Sequence, residues 1–143
     1  MIKKVSPSSI LRGEIIPPGD KSISHRAILL NSLARGKARL DNFSPGADCL
    51  STLTCLRALG VNIKPVSSIT LEVEGVGGNG LHEAEDVLNA GNSATTMRLL
   101  TGLLAAQPFL SIISGDNSLR SRPMARLILP LRLMGANIWG RGR

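Results

Sequence analysis

Aromatic residues are almost missing from this chain: Phe43, Phe109 and Trp139 are the only three, and there is no tyrosine. None of them is interleaved with basic residues, so the stacking platform used by single-strand nucleic-acid binders is absent and nucleic acid is not the expected partner. Cysteine is equally scarce. Cys49 and Cys55 lie six apart in one helical pattern, with no second pair or histidine cluster, which argues against zinc and for reduced core thiols. His25 and His82 lack companions at metal-ligand spacing, so no metal is expected, and each reads as a surface or capping residue. No apolar run approaches the ~18 residues of a membrane span, and the lysines near Met1 are followed by no apolar signal stretch. The expectation is a soluble, cytoplasmic protein with no membrane partner. The phosphate-binding pattern G-x-x-x-x-G-K-[ST] is also missing.

What is present is an excess of positive charge. Lys plus Arg number 17 against 10 Asp plus Glu, a net charge of +7, on a chain of 143 residues that is 43% hydrophobic. That length has room for one domain with a real core, and the charge calls for an anionic partner: nucleic acid, a membrane surface or a small phosphorylated metabolite. Composition alone does not choose among them.

The densest signal is Pro17-Pro18-Gly19-Asp20-Lys21-Ser22-Ile23-Ser24-His25-Arg26, followed by Ala27-Ile28-Leu29-Leu30. Two prolines and a glycine prevent a helix before it, and Asp20 or Ser22 can cap the helix that follows. The unpaired N–H groups and the dipole of such a terminus favour an anion. Ser22 and Arg26, four apart, share one helix face and could reach one phosphate.

Along the chain, Ile10-Leu11 and Ile15-Ile16 around Arg12-Gly13-Glu14 read as a leading strand with a bulge. A first helix is expected over roughly Ser24 to Ala34, ended by Gly36 at C′, then a strand from Ala38 to Phe43. Ser44-Pro45-Gly46-Ala47-Asp48 starts a second helix carrying Leu50, Leu53, Leu56 and Leu59 and ending at Gly60. Val61–Val66 and Ile69–Glu74 alternate apolar and polar around Ser67-Ser68, as a hairpin does. After the glycine-rich stretch at 75–80 the pattern restarts. Gly91 to Arg98 matches Gly19 to Arg26 in layout at an offset of 72, and Leu131–Ile138 repeats Leu56–Ile63 at an offset of 75 with five of eight positions identical. Leu110 to Ser114 falls where the first unit has its strand. The expected organisation is therefore a leading strand segment at 1–18, a first repeat at 19–80 and a second at 81–143. The second stops before its last strand, and the expectation is that this chain is the front part of something longer.

Three polar clusters stand at helix starts. The first is Lys21, Ser22 and Arg26; the second is Asn92-Ser93-Ala94-Thr95-Thr96 with Arg98. The third is Asp116 to Pro123, in which Pro123 suits the first helical position and Arg122 sits beside the terminus. All bear cations, which argues for a shared anionic site between the helix ends.

Asp20-Lys21-Ser22-Ile23-Ser24-His25-Arg26-Ala27, then Asn92-Ser93-Ala94-Thr95-Thr96-Met97-Arg98, then Arg120-Ser121-Arg122-Pro123-Met124 resemble the successive signatures of the 3-phosphoshikimate 1-carboxyvinyltransferase (5-enolpyruvylshikimate-3-phosphate synthase) family. The likeness runs from about Ile10 to the last residue. It implies an α/β fold, an enolpyruvyl-transferase-like lobe of repeated βαβαββ units, with about one and a half to two units present. It implies that Lys21, Ser22 and Arg26 bind shikimate 3-phosphate, and that Lys21, Asn92, Ala94 and Arg122 line the phosphoenolpyruvate site. The implied reaction transfers the enolpyruvyl group to the 5-hydroxyl of shikimate 3-phosphate, with no metal or organic cofactor. The proton-transfer residues are implied to lie outside this stretch, so no catalytic residue is expected in it, and the isolated chain is expected to be inactive. A full-length monomer is implied, in which the leading strand segment at 1–18 pairs with the missing second lobe.

Ala94 stands where many members have glycine, Asn89 where Asp is common and Ala84 where Pro is common; only the first lies in the implied site. The related UDP-N-acetylglucosamine 1-carboxyvinyltransferases fit less well, because no cysteine stands near Arg120 to Met124. A non-catalytic phosphate- or RNA-binding module on the same repeat is the alternative of another class.

Overall fold

The computed structural model describes residues 2–7 and 10–141. Helix α1 (Lys21–Leu33) begins where the prolines and Gly19 end, with the Asp20 carboxylate at the N-cap accepting from the Ile23 N–H at 2.6 Å. Its buried face is Ser24, His25, Ile28, Leu29 and Ser32, spaced three and four apart as a one-sided helix requires. The helix starts at the Asp20 cap that the sequence offered, three residues before the approximate Ser24 bound, and Gly36 is not its C′ residue. The chain passes through an extended Ala34 straight into strand β1 (Arg35–Leu40), where Gly36 has φ +101° and pairs with Gly75. The Ala34 carbonyl is capped from across the sheet by the Gly77 N–H at 2.9 Å, so no local glycine cap is needed. β1 also stops short of Phe43, because Asn42 turns the backbone at φ +55°.

Helix α2 (Ala47–Ala58) follows the Gly46 N-cap and buries Cys49, Thr52, Leu53, Cys55 and Leu56. Leu59 and Leu56 are fully buried as expected, but Leu50 is 45% exposed. A spacing of three residues drifts by about 60° per step around a helix, so a run of four leucines cannot all face one core. Strands β2 (Asn62–Pro65) and β3 (Leu71–Val76) form the expected hairpin, and β3 lies between β1 and β2 in an antiparallel sheet. In register Ile63 faces Val73 and Lys64 faces Glu72, so one face buries Ile63, Leu71 and Val73 while the other carries charge. Helices α1 and α2 pack on each other, and α1 lies across β3.

The second half begins with β4 (Leu88–Asn89), helix α3 (Ala94–Leu104) and β5 (Ile113–Ser114). β4 and β5 pair in parallel, which requires a crossover element between them, here α3. Helices α4 (Asn117–Arg120) and α5 (Ala125–Leu133) follow. Pro123 is not the first residue of a helix: Met124 is the N-cap of α5 and Pro123 precedes it. Leu88, Leu100 and Leu104 join Ile28, Leu56 and Val73 in one continuous core, so the two halves share their interior.

The two helix-to-strand junctions are alike in detail. Gly60 and Gly135 have φ +93° and +95°, a left-handed conformation in which only glycine is unstrained. The Gly60 N–H donates to Arg57 O and the Gly135 N–H to Arg132 O, both at 2.9 Å. The Arg57 and Arg132 Nε groups then reach forward to the carbonyls of Ile63 and Ile138 at 3.0 and 2.7 Å. Each arginine clamps the chain leaving its helix.

Among the described residues of 1–18 no strand forms, and Leu11, Ile15 and Ile16 are about nine-tenths exposed. No strand follows α5 among the described residues either.

Candidate functional site

The sequence places Lys21 in the first turn of α1, and its Nζ pairs with the Asp48 carboxylate in the first turn of α2. The lysine is half exposed and Asp48 is 29% exposed, so this pair orients the ammonium more than it stabilises the fold. Ser22 and Arg26 both face solvent on the same side of α1, one turn apart. Nearby Cys49 is buried against the Lys21 carbonyl at 3.5 Å. Burial pushes its thiol pKa up, and pushes that of Cys55 to about 11, so both are protonated core thiols.

The second cluster is built from two segments distant in sequence. Asn92 Nδ2 donates to the Asp116 carboxylate at 2.5 Å, and Arg122 Nη2 donates to Asn92 Oδ1 at 3.0 Å. Asp116 also caps α4 by accepting from the Leu119 N–H at 2.7 Å. The donated hydrogen bond from Asn92, then that from Leu119, with Arg122 nearby, hold the Asp116 carboxyl below the usual carboxylate range. Asn92 therefore fixes the Arg122 guanidinium beside the start of α3. Ala94, the first residue of that helix, is half-buried two positions on.

Asp48 joins the two clusters. Its carboxylate holds Lys21, and its backbone carbonyl accepts from Thr96 Oγ1 at 3.1 Å. Thr96 in turn contacts Ser93 Oγ and Thr52 Oγ1, each at 2.7 Å, and Thr52 Oγ1 lies 2.7 Å from His25 Nδ1. The N-terminal ends of α1, α2 and α3 thus converge through buried hydroxyls, and three positive helix ends face one region.

Residues 5–143 match the family described as EPSP synthase (3-phosphoshikimate 1-carboxyvinyltransferase). The chain belongs to this family. It is 57% identical to the 3-phosphoshikimate 1-carboxyvinyltransferase of Desulforudis audaxviator over 99% of this chain and 33% of that relative. To the protein of the same name from Chloroflexus aurantiacus it is 59% identical, over 92% and 30% respectively. Among solved structures, EPSP synthase from Acinetobacter baumannii superposes with a TM-score of 0.88 at 45% identity, covering 92% of this chain and 30% of that one. The chain spans about a third of the length of these relatives.

For this EPSP synthase family chain the fold is α/β, and the first turns of α1, α2 and α3 are tied together through Asp48 and the Thr96 hydroxyl. The arrangement can hold an anion, because backbone N–H groups at the helix starts and the oriented Lys21 and Arg122 side chains offer positioned donors, with Arg26 exposed on the same side of α1 as Ser22. An open cleft of about 830 Å³ runs from Asn117 to Met124 and along Ile128 and Arg132, placing Arg120, Arg122 and Arg132 on its walls. Among the described residues no group of three or more His, Cys, Asp or Glu is arranged to hold a metal ion, and no helix is long and apolar enough to cross a membrane.

His25 departs from expectation. It is fully buried, not a surface or capping residue, while His82 is exposed. The reason is its place on α1: His25, Ile28, Leu29 and Ser32 form one inward stripe, a spacing visible in the sequence but outweighed by the polarity of the side chain. Asp48 was also missed as a partner of Lys21. The pairing spans 27 residues and depends on how α1 and α2 pack, for which the sequence carries no local signal.

Proposed function

We propose that this chain is the substrate-binding N-terminal part of a 3-phosphoshikimate 1-carboxyvinyltransferase, a cytoplasmic enzyme of the shikimate pathway that is monomeric in its complete form. Lys21, Ser22 and Arg26 bind shikimate 3-phosphate; Lys21, Asn92, Ala94 and Arg122 line the phosphoenolpyruvate site. What supports this reading is that Asp48 ties Lys21 on α1 to Thr96 on α3 and that Asn92, just before α3, holds Arg122, in a chain whose family match covers residues 5–143.

In the reaction the methylene carbon of phosphoenolpyruvate gains a proton and the adjacent carbon becomes cationic. The 5-hydroxyl of shikimate 3-phosphate attacks that carbon and loses its proton, and phosphate then leaves as the double bond re-forms with loss of a methyl proton. This chain's part is to bring two polyanions together. Fixed cations screen their repulsion and hold the hydroxyl near the reacting carbon. The acid–base groups are supplied by the remainder of the family's length.

Titration calorimetry with shikimate 3-phosphate, set against a random oligonucleotide, tests the binding role. Saturable metabolite binding is expected. A salt-steep response to the oligonucleotide with none to the metabolite refutes the reading. The 143 residues alone are expected to transfer no enolpyruvyl group, since loss of positioned acid–base groups typically costs about 10² to 10⁴ in rate.

A further inference from the structure

Of the two histidines, His25 is the buried one, and its Nε2 has no hydrogen-bond partner while Nδ1 meets Thr52 Oγ1. The protons of this buried chain can be assigned by counting. The Asp48 carbonyl only accepts, and Ser93 Oγ stands as a second acceptor for Thr96 Oγ1, so the single Thr96 hydroxyl proton is taken up by these two. Ser93 Oγ also accepts from the Thr96 N–H at 3.1 Å. Thr52 must then donate to Thr96, which leaves Thr52 Oγ1 as the acceptor from His25 Nδ1–H. Whichever acceptor takes the Thr96 proton, the His25–Thr52 contact keeps this direction. It makes His25 a donor through Nδ1, and burial keeps the bare Nε2 from taking a second proton.

We propose that His25 is a positioning residue: as a neutral imidazole protonated at Nδ1 it anchors the Thr52–Thr96–Ser93 chain that holds the α1 end of the site against the α3 end. The inference rests on the proposed reading of the site. His25 touches no substrate; it precedes Arg26 and lies one turn from Ser22, while Thr96 and Ser93 flank the first turn that begins with Ala94. Cutting the chain frees the two ends to drift, so both substrates lose affinity together while the chemical step, run by other groups, changes less.

The test uses Acinetobacter baumannii EPSP synthase with its matching third replaced by this chain, in the parent form and as His25→Leu and His25→Asn. Asparagine places an N–H donor close to the Nδ1 position; leucine offers none. His25→Leu is expected to raise both the Kd for shikimate 3-phosphate and the KM for phosphoenolpyruvate by about fivefold or more, with kcat within about threefold, and His25→Asn to restore both. If His25→Leu does not fold, Thr52→Val, which removes the same acceptor at nearly constant volume, is expected to give that pattern. Independently, 15N-histidine NMR of the 143-residue chain, with His82→Gln for assignment, is expected to show Nδ1 protonated and Nε2 bare at neutral pH. Unchanged constants in a folded His25→Leu or Thr52→Val protein, equal damage from leucine and asparagine, or an Nε2–H tautomer overturns the inference. A parent graft that binds neither substrate overturns the functional reading itself, and this role with it.

Discussion

Replacing Gly19 by alanine should damage both stability and the site, because this glycine is where the backbone before α1 crosses the backbone after β1. A Cβ there would run into the Asn42 carbonyl oxygen and stand 2.9 Å from Ser44 N and 3.0 Å from Asn42 C, all main-chain atoms. None can rotate away. The crossing is also tied by Asn42 Nδ2 to Pro17 O at 3.2 Å and by Ser44 N to Ser24 Oγ at 2.9 Å, so a shift strains several bonds at once. Overpacking of this kind costs about 1–3 kcal/mol. For a domain of this size each kcal/mol moves the melting temperature by about 3–5 °C, so a fall of roughly 3 to 15 °C is expected by calorimetry. Asp20 and Lys21 directly follow Gly19, so shikimate 3-phosphate affinity in the grafted enzyme should also fall by about fivefold or more, since 1.4 kcal/mol is a factor of ten. Gly102 provides the opposite sign. It is exposed inside α3 with no atom within 4 Å of an added Cβ, and Gly102→Ala should stabilise by about 0.5–1 kcal/mol. A Gly19→Ala protein melting within about 1 °C of the parent, with unchanged affinity, would refute the reasoning.

Stability should fall on acidification through His25. Burial first, then the Lys21 ammonium, lower its pKa, with Asp48 opposing. The unfolded chain therefore takes up a proton that the fold refuses: the contribution is complete above the ordinary histidine pKa of about 6.5 and is lost as pH falls below it. Melting curves between pH 8 and 5 should show a steeper decline for the parent than for His25→Asn, and parallel declines would contradict this. Arg26→Ala should weaken shikimate 3-phosphate binding by about 1.5–3 kcal/mol and Arg35→Ala by far less, because only Arg26 stands one turn from Ser22; equal effects by calorimetry would mean that overall charge drives binding. The family resemblance implies that glyphosate occupies the phosphoenolpyruvate site and extends toward the position of Ala94, so in the grafted enzyme Ala94→Gly should tighten it by about 5- to 150-fold by removing a methyl group worth roughly 1–3 kcal/mol of crowding. The ratio of the glyphosate inhibition constant to the phosphoenolpyruvate KM measures this, and an unchanged ratio would refute the steric argument.

Local chemistry made much of this molecule legible in its sequence. Capping residues, proline and glycine act over a few positions, so the starts of α1, α2 and α3 and the β2–β3 hairpin could be read directly. The repeated Leu-Arg-x-x-Gly-x-Asn-Ile junction announced two backbones of the same shape, and the motifs around Lys21, Asn92 and Arg122 pointed to the family. Tertiary packing decided the rest. Whether the apolar residues before Pro17 form a strand depends on a neighbour to pair with, and Leu50 leaves the core because helical drift carries it off the buried face. The ion pair of Lys21 with Asp48, the bridge of Asn92 between Asp116 and Arg122, and the burial of His25 all join residues on different segments. A side chain's partner is set by the packing of whole elements, and a single sequence carries no local record of which elements will meet.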